Sequence, residues 1–141
     1  MSVSMEELPL RHALSVPTEG SAVRLARETA ELVLVEWGVN PVHPTVAPAL
    51  LILSELVTNS VRHAAEASPM VTVIFAGAPD CFAFAVHDRH PYQPELCGVS
   101  AQDSGGGLAT VMELTLGHGG TAVVRADSDG GGKSIWITLP L

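Results

Sequence analysis

The run Ser54-Glu55-Leu56-Val57-Thr58-Asn59-Ser60-Val61-Arg62-His63-Ala64 sets an acid, a carboxamide and an imidazole at successive four-residue steps. On a helix, at about 100° per residue, Glu55, Asn59 and His63 fall within a quarter turn of one another. Leu50, Leu53, Val57, Val61 and Ala64 gather on the opposite side, which the helix is expected to bury. An acid and a neutral oxygen donor on one exposed stripe suit a nucleotide held through magnesium. That ion keeps several waters and takes one or two protein oxygens beside the substrate phosphates. A solvated helix face is the plain alternative. Asn59 weighs against it, because Asn is a poor mid-helix residue unless its side chain has a task.

Three other segments could carry chemistry. Gly105-Gly106-Gly107 precedes a short predicted helix, Leu108 to Leu116, and would leave backbone N–H groups facing a ligand at the positive end of the helix dipole. A flexible connector is the alternative there. Thr110 stands where a dinucleotide fingerprint needs its last glycine, and a loop stands where that fingerprint needs a strand. Asp127 to Ser134 ends in Gly-Lys-Ser, as a phosphate loop does. Asp127 replaces its first glycine, however, and the following segment reads as a strand, not a helix. A calcium loop fails as well, since Gly131 occupies a ligand position and no Glu closes it. A hairpin turn is the better reading. Asp88 follows the apolar run Phe82 to Val86 and could accept a hydrogen bond from a ligand, with a solvated loop charge as its competitor. His87 and His90 find no Cys or Glu partner at metal-binding spacing.

The elements that must position these residues follow from periodicity and punctuation. Residues 1–9 read as a loose tail and residues 10–141 as one domain. Arg11 to Val16 reads as a strand ended by Pro17. Glu19 to Trp37 has helical spacing, with Val23, Ala26, Ala30, Val33 and Leu34 on one face, and Gly38, Asn40 and Pro41 stop it. A second helix opens at Pro44 or Thr45, carries the polar stripe, and runs to about Ala67 before Ser68-Pro69. Met70 to Ala76 and Phe82 to His87 read as a hairpin across Gly77-Ala78-Pro79-Asp80. His87 to Ser104 reads as a long loop, a length usually tied to function. Thr121 to Ala126 and Lys133 to Leu139 are strands joined by the turn Asp127 to Gly132. The order predicts a two-layer α/β (α+β) sandwich, a mostly antiparallel sheet with helices on one face.

The totals bound the answer. A chain of 141 residues, 47% hydrophobic and 16% charged, can bury one substantial core. Seven basic residues against 15 acidic ones, a net charge of −8, argue against a nucleic-acid backbone as partner. A single nucleotide stays open, because amides and a metal can carry its charge. Cys81 and Cys97 form no CxxC and read as reduced thiols. Met1 to Leu10 lacks the pattern of a signal peptide, and Ala47 to Leu53, the longest apolar stretch, is too short to span a bilayer. A cytoplasmic protein with no membrane partner is expected.

Taken in order from about Val16 to Pro140, these segments resemble the GHKL ATPase superfamily, which includes gyrase-type topoisomerases and histidine kinases. The nearest likeness is to its single-domain branch, anti-sigma factors that are serine-protein kinases. Glu55 to Ala64 resembles the family's N box. Asp88 sits where the family has its adenine-reading aspartate. Gly105-Gly106-Gly107-Leu108 resembles the glycine box under the triphosphate. Gly132-Lys133-Ser134-Ile135-Trp136 resembles the last box, whose hydroxyl residue lies near the adenine. The resemblance implies a Bergerat-type ATP-binding fold and ATP with Mg2+ as cofactors. It makes Asn59 the magnesium ligand and Glu55 the general base toward an incoming serine hydroxyl. Asp88 becomes the acceptor for the adenine amino group, and His63, Gly105, Gly106, Gly107, Leu108, Lys133 and Ser134 become further nucleotide contacts. Arg89 to Gly107 would be the ATP lid. The implied partners are a sigma factor and a STAS-type anti-sigma antagonist, with a homodimer also open to the chain. The implied activity is phosphorylation of an antagonist serine; an ATP-binding regulatory module without kinase activity is the alternative. Two residues after Asp88, where the family usually has Gly, this chain has His90, followed by Pro91. It shows neither a phosphoacceptor-helix domain nor a transducer domain, and is expected to be neither a whole histidine kinase nor a gyrase.

Overall fold

The computed structural model describes residues 8–90 and 107–141. Strands β1 (Leu10–Pro17), β2 (Met70–Ala78), β3 (Cys81–Asp88), β4 (Thr121–Ala126) and β5 (Lys133–Pro140) form one sheet in the order β1-β2-β3-β5-β4. Every neighbouring pair is antiparallel. Helices α1 (Ser21–Glu36), α2 (Val46–Ala64) and α3 (Gly107–Gly117) pack against it. This is the expected antiparallel α/β sandwich. Its consequential feature is that β5 inserts beside β3, so the end of β3 meets the start of β5.

Strand alternation explains which residues meet the helices. Val71, Val73 and Phe75 of β2, Phe82, Phe84 and Val86 of β3, and Ile135, Ile137 and Leu139 of β5 share one buried cluster with the helices. Phe75, Phe82 and Phe84 are fully buried, and each such side chain contributes roughly 1.5–3 kcal/mol of transfer free energy. Helix α1 buries Ala22, Ala26 and Ala30, whose small side chains seat it closely, then Val33 and Leu34. It stops where the sequence says it should. Gly38 takes φ 80°, and the amides of Gly38 and Val39 return to the carbonyls of Val35 and Leu34. Those paired bonds are the Schellman motif.

Helix α2 opens after Thr45, whose Oγ1 donates to the Pro140 carbonyl at 2.8 Å. Pro48 is harmless because it lies in the first turn, where N–H groups lack intrahelical partners. The helix ends at Ala64, not near Ala67; the Ser68 amide instead closes a turn on the Ala64 carbonyl at 2.7 Å. Its buried face also differs from the expected one. Ala49, Ile52, Leu53, Leu56, Val57, Ser60 and Ala64 are buried, while Leu50 and Val61 are half-buried at its edge. The helix is flanked on both sides by α1 and α3, so a stripe wider than one apolar seam is covered. Leu8, within the stretch expected as a loose tail, packs against Ala76 and Ala83 on the other face of the sheet.

Candidate functional site

Asp88 is the last residue of β3, only 2% exposed, rather than a solvated charge at the start of a loop. His87 likewise belongs to the strand. Asp88 follows Phe82, Phe84 and Val86 on the helix-facing side, so its carboxylate enters the core where the sheet runs out. Three donors meet it there. Ser60 of α2 donates from Oγ to Oδ2 at 2.7 Å. Lys133, opposite Asp88 in the β3–β5 register, donates from Nζ to Oδ1 at 2.7 Å. The backbone N–H of His90 donates to the same oxygen at 3.0 Å. The ion-paired side chains are 10% and 3% exposed for Lys133 and Asp88. A buried charge of this kind is tolerable only when paired and hydrogen-bonded.

One residue before Ser60, Asn59 keeps its carboxamide nitrogen buried without a hydrogen-bond partner among the described residues. Glu55, one turn earlier, is half-buried, and His63, one turn later, is exposed. The structure thus brings Ser60, Asp88 and Lys133 together, with Asn59 next to Ser60 on α2 and Glu55 one turn earlier on the same helix. Gly107 is the first residue of α3 and Leu108 follows it, while Gly105 and Gly106 lie outside the described residues. So does most of the expected lid, since only Arg89, His90 and Gly107 of it are described.

Ser134 is not brought into this cluster. It pairs with His87, one register position from Lys133, and period-two alternation sends it to the sheet face away from Asp88. The cation, not the hydroxyl, is what this end of β5 presents to Asp88. Ser60 was missed by sequence reasoning because it reads as a small polar residue beside the stripe. Its only sequence signal is its place one residue after Asn59.

A second polar network fixes the chain just beyond Asp88. The Arg89 guanidinium donates to both Asp129 oxygens, at 3.2 and 2.8 Å, and to Asp127. His87 Nε2 lies 2.9 Å from Asp127 Oδ2. The Arg89 hydrogen bonds, helped by the Gly131 N–H, hold the Asp129 carboxyl down to about 2. Asp127 is lowered chiefly by the His87 hydrogen bond, with Arg89 adding to it against a desolvation penalty. The Arg89 guanidinium is raised in turn, by Asp129 and then Asp127. The turn between β4 and β5 closes through Asp127 N–H to the Gly132 carbonyl at 3.0 Å. Gly132 is needed there for space: a Cβ would sit 2.6 Å from the Asp88 carbonyl oxygen. No metal-binding cluster of His, Cys, Asp and Glu occurs among the described residues. A cavity of about 470 Å³ between Trp37, Cys81, Phe82 and Leu141 lies at the opposite end of β3 and contains none of the candidate residues. Cys81, on its wall, is a free thiol that burial pushes up, with the Asp80 charge adding.

The family model of histidine kinase-, DNA gyrase B-, and HSP90-like ATPases matches residues 46–141, which include α2, β3, α3 and β5. The chain belongs to this ATPase family. Among solved structures it is similar to the RsbU and RsbW domains of Rv1364c from Mycobacterium tuberculosis. That likeness has a TM-score of 0.66 and 21% identity, over 94% of this chain and 33% of that one. It is also similar to full-length ShkA, solved in complex with AMPPNP, with a TM-score of 0.56 and 25% identity over 89% of this chain and 31% of that one. The chain therefore spans about a third of the length of these structures. No curated protein sequence matches it significantly. No helix among the described residues is long and apolar enough to cross a membrane.

The residues present fit the nucleotide that the family implies. Asn59 offers an amide nitrogen that nothing in the described structure satisfies, and such a donor costs roughly 1–3 kcal/mol until it finds an acceptor. Asp88, with Ser60 on Oδ2 and two donors on Oδ1, retains one lone pair on Oδ2 by the inventory of a carboxylate.

Proposed function

We propose that this ATPase-family domain binds ATP with Mg2+ between α2, the end of β3 and the start of α3, and that it is an anti-sigma regulator with serine-protein kinase activity. The partnerless amide nitrogen of Asn59 carries the reading, because a buried –NH2 left unsatisfied at this place calls for an acceptor such as a phosphate oxygen, while its oxygen is the atom that would face a metal. Asn59 would hold the magnesium ion, Asp88 the adenine amino group, and the amides at the start of α3 the phosphates. The nucleotide supplies the phosphoryl group. Glu55, which makes no ion pair among the described residues, takes the proton of the acceptor hydroxyl. Neutral positioning and charge compensation do the rest, as in phosphoryl transfer generally. His63, exposed near the end of α2, would be a further nucleotide contact. The partners proposed are a sigma factor and a STAS-type antagonist in the cytoplasm; similarity to an RsbW-containing structure supports that class of partner.

Two measurements test this. A ligand that binds only the native state raises its apparent stability, so ATP with Mg2+ should raise Tm, and an unchanged Tm would dismiss nucleotide binding. Labelled ATP incubated with a candidate STAS-type antagonist should label one of its serines. Glu55→Gln should keep the Tm rise and lose the label; nucleotide binding without any label in the wild-type protein would leave the regulatory module as the function.

A further inference from the structure

The pair formed by Asp88 and Lys133 has a capacity that a lone carboxylate lacks. The Lys133 ammonium has three N–H donors. One goes to Asp88 Oδ1 at 2.7 Å and one to the His90 carbonyl at 3.4 Å, which leaves the third without a partner among the described residues. Among the described residues Asp88 Oδ2 accepts only from Ser60 and keeps one lone pair. One spare donor and one spare acceptor therefore belong to the same ion pair among the described residues.

We propose that Lys133 and Asp88 read the nucleobase together, and that Lys133 admits 6-oxo purines beside the 6-amino purine. This rests on the proposed nucleotide site, with the base edge that carries N1 and the six-position group toward the Asp88–Lys133 pair. A carboxylate alone accepts from the amino group of adenine. Against a 6-oxo purine it would set oxygen against oxygen, and a buried polar site rejects such a mismatch by on the order of 10⁴-fold. With Lys133 beside it a 6-oxo purine has a second seating. Displaced along the pair so that its two edge atoms exchange partners, it accepts at O6 from the ammonium while Asp88 accepts from N1–H. For adenine the same pair works in the other sense, Asp88 accepting from the amino group and Lys133 donating to the neighbouring ring nitrogen. Ser60 and the His90 N–H hold the carboxylate in place for either base. Lys133 is thus a specificity-determining residue.

Calorimetric titration with ATP and with ITP, each with Mg2+, tests the inference. ITP changes only the six position and its adjacent ring proton. The wild-type protein should bind the two within about tenfold of each other, and Lys133→Met should weaken ITP at least about tenfold more than ATP. The wild-type comparison needs no variant and decides the matter if Lys133→Met does not fold. ATP binding with ITP rejected by more than about 1,000-fold would overturn this inference and leave the proposed function standing. So would a Lys133→Met protein in which both nucleotides lose affinity equally. Binding of neither nucleotide would overturn the proposed function and the inference together.

Discussion

The buried ion pair predicts its own energetic signature in the absence of any ligand. Lys133→Met removes the ammonium that meets Asp88 Oδ1 at 2.7 Å and leaves a carboxylate of 3% exposure behind. Breaking a buried pair on one side costs roughly 3–5 kcal/mol. Asp88 would keep its bonds from Ser60 and the His90 N–H, so the lower end applies, about 3 kcal/mol. For a domain of this size each kcal/mol moves Tm by roughly 3 °C, which gives a drop of about 10 °C. Asp88→Asn strands the lysine instead and should cost a similar amount. The double variant removes both charges and should lose less than either single one, because an uncharged pair needs no compensation. Urea unfolding of the four proteins, repeated at about 0.5 M salt, reads the cycle; a buried pair is screened little. Single losses below about 1 kcal/mol, or a double variant equal to the sum of the singles within about 0.5 kcal/mol, would refute the view that these groups meet in the core.

Other consequences follow from the same geometry. Gly132→Ala should destabilise by about 1–3 kcal/mol, because its Cβ would lie 2.6 Å from the Asp88 carbonyl and 3.0 Å from Arg89 Cα, backbone atoms that cannot swing aside; wild-type stability in chemical denaturation would show the turn to be looser. The Asp129 carboxyl should titrate by NMR near 2, below the roughly 3.9 of a free aspartate. Its folded value is depressed, so its contribution is complete above about pH 4 and is lost as pH falls through about 2; an ordinary midpoint would mean that Arg89 does not hold it. Ser60→Ala removes a donor from a buried carboxylate and should cost about 1–3 kcal/mol in thermal unfolding; a neutral result would remove Ser60 from the cluster.

Local chemistry was legible in the sequence. Gly38, the β2–β3 turn and the Asp127 to Gly132 turn all sit where glycine, proline and aspartate placed them, because such signals act within a few residues. The four-residue spacing of Glu55, Asn59 and His63 on α2 was legible for the same reason, but not its exposure: Glu55 and Asn59 are half-buried, because α1 and α3 both pack against the helix. The partner of Asp88 was not. It depends on β5 pairing with β3 across more than 40 residues, and on which of two adjacent residues, Lys133 or Ser134, falls on the inner face. A shift of one position reverses every side chain of a strand, and no local pattern in Gly132 to Trp136 decides it. Ser60 stayed hidden because the buried face of α2 is set by neighbours on both sides, whereas periodicity alone located a single seam. The Arg89 clamp joins the end of one strand to the turn before another, and only the fold brings its charges together.

Direct titration of ATP with and without Mg2+, in the wild-type protein and in Asn59→Ala, tests most plainly whether Asn59 organises a nucleotide site. The wild-type protein should bind in a magnesium-dependent way, and the variant should lose that binding while staying folded. Identical isotherms for the two proteins, or wild-type binding indifferent to magnesium, would contradict it.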